Sequence, residues 1–345
     1  MEGNCLLMLG NCQRKSFAYP RESQYCSSMI FCLRKLILAS GALALSSCIQ
    51  FEREIIQYRH VPSTDELRMT LQYEGISGGK ASPRRQAEEQ HSPKTLSPQQ
   101  IAQFESVLKG GRAFFFENWI FEYDRSSIRE TLRKLKASEL KPDDLTVGEP
   151  EKNFLHATLE DIELNNLGFY LDETHRLCGK QTIVIKEFSK FLKLTNETIR
   201  RQVPYNLERQ REKEGSPSKE TIALLSNACN DKHDFLIVEK GHLVVRVPLA
   251  KREYLEFKRK VLDENSNPAK PSNKGLPPEI KVTYENQILT LVLGDGKHGN
   301  VSLTKKCHPG YSDNALEYLR ENHSKLLLDE TKITSAAKRF LTGGD

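Results

Sequence analysis

The sequence predicts an α+β fold, antiparallel β-hairpins with packed helices, after a cleavable N-terminal signal. Three observations carry this expectation. Leu67, Met69, Leu71 and Tyr73 alternate with Arg68, Thr70 and Gln72, the period of a half-buried strand. Ile101, Phe104, Val107 and Leu108 recur at the spacing of a buried helix face. Strand-like and helix-like stretches neither alternate as βαβ units nor repeat with a solenoid period, so helices packed on antiparallel hairpins remain.

The elements follow in order. Residues 51–60 and 67–73 read as a hairpin around Val61-Pro62-Ser63-Thr64-Asp65. Residues 75–95, rich in Gly, Ser, Pro and charge, read as a loop. Ser97 and Pro98 open a helix that Gly110-Gly111 ends. The aromatic run 113–123 (Phe114, Phe115, Phe116, Trp119, Phe121, Tyr123) suits one buried strand better than a ligand platform. Ser127 and Glu130 match a capping box for a helix burying Ile128, Leu132 and Leu135, with a loop reaching Pro150. Residues 153–165 fit helix or strand. Strands follow at 168–171 and 182–185, then a charged helical stretch at 187–214 interrupted near Pro204. Ser218 caps a helix to Cys229. Two hairpins, 235–247 turning at Lys240-Gly241 and 279–293 turning at Glu285-Asn286-Gln287, flank an amphipathic helix at 249–263 with Tyr254, Phe257 and Val261 on one side. A Pro/Asn/Ser-rich loop spans 265–278. A strand at 301–305 and helices at 312–322 and 325–341 complete the chain.

The N-terminal region has a different character. Arg34 and Lys35 precede an uncharged apolar run, residues 36–45, which Ser46, Ser47 and Cys48 close. A cationic segment, a short apolar segment and small residues are the order of a secretory signal. The run is too short for a membrane span, which needs about 20 apolar residues. Leu45-Ser46-Ser47-Cys48 resembles the lipobox of bacterial lipoprotein precursors. That resemblance implies lipid on the Cys48 thiol, removal of residues 29–47, and Cys48 as the first residue of the mature chain. It implies a membrane or cell-envelope location, facing the periplasm or the exterior. In that family an Asp after the Cys signals inner-membrane retention; Ile49 stands here, which favours the outer membrane. Two or three acyl chains, at about 0.8 kcal/mol per buried CH₂, hold firmly where one does not. Residues 1–28 fit either an extended cationic n-region or a non-native segment preceding a start at Met29. The remaining chain divides into α+β regions at 48–150 and 151–345, or forms one domain.

Residues 1–48 carry five basic and two acidic side chains, so the formal net charge of +5 falls to +2 without them. A surface so balanced argues against a nucleic-acid partner, which requires a basic face. Five of the eight cysteines also lie there, leaving Cys178, Cys229 and Cys307, too few for a disulfide framework.

The chemical motifs are sparse. Gly294-Asp295-Gly296-Lys297-His298-Gly299 matches G-x-G-x-x-G, but a strand-like stretch follows where a dinucleotide site needs a helix, so no cofactor is expected. Ser216-Pro217-Ser218-Lys219 matches S-x-x-K in a setting that reads as a helix start. Asn196, Asn300 and Asn322 fit glycosylation acceptors, a reading a bacterial leader disfavours. His175, Cys178, Cys307 and His308 supply two imidazoles and two thiols that would suit tetrahedral zinc if the fold gathered them. Cys178 and Cys307 could otherwise form a disulfide in an oxidising envelope. The expectation is a lipid-anchored body that binds or braces an envelope partner rather than catalyses. The rival is an envelope enzyme, metal-dependent or not, whose site is assembled from distant residues.

Overall fold

The computed structural model describes residues 49–78, 95–115, 121–136, 148–210, 217–263, 276–294, 300–306 and 313–343. The leader and Cys48, most of the 75–95 and 265–278 loops, and Cys307-His308 lie outside them. Among the described residues the fold is α+β, with antiparallel hairpins as expected.

A five-stranded antiparallel sheet is built from β1 (Arg53–Val61), β2 (Glu66–Glu74), β5 (Ile162–Leu171), β6 (Leu177–Ile185) and β11 (Val301–Lys306), in the order β11-β1-β2-β6-β5. Strands from before and after residue 150 are therefore bonded to one another, and the 48–150 and 151–345 regions share a sheet. A four-stranded sheet holds β7 (Leu236–Glu239), β8 (His242–Pro248), β9 (Lys281–Glu285) and β10 (Ile288–Val292), in the order β7-β8-β10-β9. Its hairpins turn at Lys240-Gly241 and Asn286-Gln287, where Lys240, Gly241, Asn286 and Gln287 all take positive φ.

One core serves both sheets, running from Leu71 and Leu177 to Leu289 and Leu291. Tyr58 of β1, 1% exposed, ties them together. Its hydroxyl donates to the Leu293 carbonyl at 2.6 Å and accepts from the Leu243 N–H at 2.8 Å. Burial raises its pKa far above the usual phenol value, so it keeps the proton this bridge uses.

The helix α1 (Pro98–Leu108) begins as its sequence indicates, with Ser97 and Gln100 forming a reciprocal capping box. The aromatic run departs from expectation. It forms a hairpin of β3 (Arg112–Phe115) and β4 (Phe121–Asp124), since Phe115 pairs antiparallel with Phe121 and the chain reverses between them. The following helix α2 (Arg125–Lys136) starts two residues before the Ser127 box. Asp124 is its cap: one carboxylate oxygen accepts from the Ser126 N–H at 2.9 Å, the other from the Ser127 hydroxyl at 2.8 Å. The ambiguous stretch 153–165 resolves into both readings. Helix α3 (Glu149–Glu160) ends at Asp161 and β5 starts at once.

Pro204 does not interrupt α4 (Phe188–Gln210). An interior proline costs about 3 kcal/mol, but Ile199, Val203 and Leu207 are buried along the same helix. At roughly 1.5–3 kcal/mol for each such side chain, packing outweighs the lost hydrogen bond. Asn196 of α4 also spans the edge of β7, donating to the Leu236 carbonyl at 2.7 Å and accepting from its N–H at 2.9 Å. An amide so engaged and 3% exposed is no glycan acceptor.

Ser218 caps α5 (Lys219–Asn230), as the helix-start reading of that S-x-x-K required. The stretch 249–263 is α-helical only as α6 (Lys251–Phe257) and continues as a π-helical turn, Lys258–Asp263. The next described element after Gly294 is strand β11. Gly294 has φ +91°, and an added Cβ would meet Val301 Cγ1 at 1.6 Å, so close packing accounts for this glycine.

Helices α7 (Asn314–His323) and α8 (Glu330–Thr342) close the chain. The second starts five residues later than expected because Leu327 first pairs with Phe169 of β5 and Asp329 supplies the cap. It buries Ile333, Ala337 and Leu341, one stripe at i, i+4, i+8. Arg59 and Arg68 donate to its carbonyls at Thr342 (3.1 Å) and Phe340 (3.3 Å), placing cations at the negative end of the helix.

The capping assignment has a direct consequence. Asp124→Ala is expected to destabilise the protein by about 1 kcal/mol, and Ser127→Ala by under about 0.5 kcal/mol, read as shifts in urea midpoint. The reverse order would restore the Ser127 box.

Candidate functional site

Ile49 is 7% exposed, and its N–H donates to Gln103 Oε1 of α1 at 3.1 Å. Gln50 and Ser77 exchange two backbone hydrogen bonds, at 2.7 and 2.8 Å. The Glu52 N–H donates to the Glu74 carbonyl at 2.8 Å, so sheet pairing runs back almost to Cys48. Phe51 is 2% exposed and packs on the Tyr73 ring at 4.9 Å between centroids.

Beside these residues stands the turn between β5 and β6. Asp172 Oδ1 accepts from the N–H groups of Thr174 and Arg176, each at 2.9 Å. Arg176 returns to Asp172 Oδ2 and reaches Glu52 Oε2 at 2.7 Å. This ion-paired turn therefore lies against the start of the described chain. His175 is exposed at its tip, with φ +60°.

The sequence-predicted ligands separate on this frame. Cys178 faces the opposite way from Leu177 and is buried with Tyr170 and Ile333 beneath α8. Burial pushes its thiol up to about 11, and that of Cys229 likewise to about 11. Such thiols stay protonated at neutral pH and are poor ligands and nucleophiles. Cys178 is a free thiol. Along the ladder Lys306-Arg53-Glu74-Cys178 the residue preceding Cys307 is three strands from Cys178, roughly 14 Å at the usual strand spacing. A disulfide spans at most about 7 Å between Cα atoms. Cys307 and His308 themselves are outside the described residues, and so is Cys48. Among the described residues no three His, Cys, Asp or Glu side chains gather as a metal site.

A cluster that no spacing announces joins α1 to α7. Glu105 Oε1 accepts from the Tyr318 hydroxyl at 2.8 Å and contacts His323 Nε2 at 2.5 Å. The Tyr318 hydrogen bond first, and His323 after it against some desolvation, hold the Glu105 carboxyl below its ordinary range. Desolvation, together with the Glu105 carboxylate, pushes Tyr318 up to about 12. An ionised Glu105 can only accept, so its contact with His323 places an N–H on Nε2. Tyr318 also meets Phe104 edge-on at 5.8 Å, and Phe104 stacks on Phe169 at 5.4 Å. The partners lie 213 and 218 positions apart, and nothing in the sequence links them.

Ile49, Phe51, Ile76, Phe104, Val107 and Phe169 line a small apolar cavity. It has room for roughly one water molecule, far below the several hundred Å³ of a small-molecule site. A buried cation, Lys180, donates to the Thr334 hydroxyl of α8 at 2.9 Å and lies 5.9 Å from the Tyr170 ring centroid. Burial lowers its pKa, against the pull of Glu330 and Glu74. No protein family, no curated protein and no solved structure matches this chain.

The Glu105 cluster carries a pH signature. Because its folded pKa is depressed, its contribution is present above the unfolded carboxylate value near 4.3 and is lost as pH falls through the folded value. Glu105→Gln should therefore cost about 1–2 kcal/mol at pH 7 and markedly less at pH 3. Urea titrations at both pH values check this; an equal cost at both would show that charge is not what binds α1 to α7.

Proposed function

We propose that this chain is a bacterial envelope lipoprotein, anchored through diacylglycerol on Cys48, whose α+β body binds or braces a partner in the envelope. The observation that carries the reading is the N-terminal pattern itself: Arg34 and Lys35, the uncharged run 36–45, then the lipobox-like Leu45-Ser46-Ser47-Cys48. Ile49, buried at 7% exposure and bonded to Gln103, would leave an anchored thiol adjacent to a folded body.

Support for binding over catalysis comes from the side chains. The described thiols are held protonated by burial. Arg176, Lys180 and the Arg59–Arg68 pair each have structural partners in the turn or in α8. Ile in place of Asp after the Cys favours the outer membrane as destination. Among the described residues no helix is long and apolar enough to cross a membrane.

Intact-mass spectrometry of the protein expressed in a bacterial host tests the anchor. The expected product is in the membrane fraction, begins at Cys48 and carries the diacylglyceryl mass; Cys48→Ala abolishes that mass. A soluble wild-type product retaining residues 29–47 would overturn the proposal.

A further inference from the structure

Resting on the lipid-anchor reading, we propose a bilayer-facing surface. The end of the five-stranded sheet that carries Ile49 and the Asp172–Arg176 turn is held against the headgroups, with the Val61–Glu66 turn pointing away.

The argument is one of leash length. A tethered body can stand off a membrane only by the span of chain between the lipid and the first locked residue, at most about 3.6 Å per residue. Here that span is a single peptide unit. The Ile49 N–H is bonded to Gln103, and Gln50 is bonded through both backbone groups to Ser77. Residues that share this end of the sheet must then lie near the headgroups as well. The nearest is the β5–β6 turn, clamped to Glu52 by Arg176 at 2.7 Å, with Glu173, Thr174 and His175 exposed at its tip. Glu52 and Arg53 also lie here, beside the ends of β2 and β11.

The opposite end is remote. The nine residues of β1, separated by eight steps of about 3.3 Å, carry the chain roughly 26 Å away to the turn holding Ser63 and Thr64. Among the described residues only Leu255 and Leu328 are large exposed hydrophobic side chains, and they stand apart in the sequence. The described residues thus offer no contiguous apolar patch that would compete with the pinned end for lipid.

The test uses lipidated protein purified from membranes and reconstituted in phosphatidylcholine vesicles containing a nitroxide-headgroup lipid. A fluorescent amino acid is introduced genetically at Glu173 in one variant and at Ser63 in another. Quenching should be several-fold stronger at position 173 than at 63. Ten Gly/Ser residues inserted between Cys48 and Ile49, a coil of about 17 Å r.m.s. length, should remove most of that difference. Equal quenching at both positions, or stronger quenching at 63, in a sample with lipid mass on Cys48 overturns this orientation alone. A sample with no lipid mass on Cys48 overturns the anchor reading and this inference with it.

Discussion

The locking of residues 49–52 is the constraint on which the rest of the molecule depends. Two hydrogen bonds between Gln50 and Ser77, and one from Glu52 to Glu74, start β1 against β2 before its named strand begins. Ile49 and Phe51 are set into the core at the same place, over Phe104 and Phe169. Once β1 is in register, its far half carries Tyr58 to the four-stranded sheet, where the phenol satisfies one carbonyl and one N–H. The same strand offers Arg59 to the end of α8 from its other face. Both sheets and the terminal helix thus hang on one strand. Under the proposed lipid-anchor reading, Ile49 would meet two demands. In the lipoprotein family an Asp there redirects sorting; in this fold it would put a carboxylate into a site 7% exposed, with a folding cost of its own.

The face of the five-stranded sheet beneath α8 shows how a polar surface is used for packing. Ile333, Ala337 and Leu341 make a narrow apolar stripe, and Arg68, Lys180 and Arg59 donate around it to oxygens of the helix. Lys180 is 7% exposed and so has exchanged water for one hydroxyl, the Tyr170 ring and nearby carboxylates. Its lowered pKa is the cost of that burial.

Local chemistry made much of the fold legible in the sequence. Alternation at 67–73, the Ser97-Pro98 start, the Ser218 cap and the Lys240-Gly241 and Asn286-Gln287 turns all depend on residues within one turn or one pleat of each other. What escaped depends on distant partners. The aromatic run was divided by antiparallel pairing of Phe115 with Phe121, α8 was delayed by the bond of Leu328 to Phe169, and α4 passed through Pro204 because its buried face outweighs one lost donor. Asp124 rather than Ser127 caps α2 because Asp124 ends a strand whose position is set by Arg112 across the hairpin. The site was legible in part. His175 and Cys178 are close in sequence yet fall on an exposed turn and a buried face. Glu105, Tyr318 and His323 carry no shared motif and meet only because α7 packs on α1.

Native-state hydrogen exchange at the Ile49 and Gln50 amides, in protein expressed to begin at Cys48, tests the central claim most directly. If residues 49–52 are locked as their hydrogen bonds indicate, both amides are protected to a degree comparable with Ile56 and Tyr58 in the middle of β1. Exchange at the rate of an unstructured chain, with Ile56 still protected, would mean a free leader joins Cys48 to the sheet and would contradict the account.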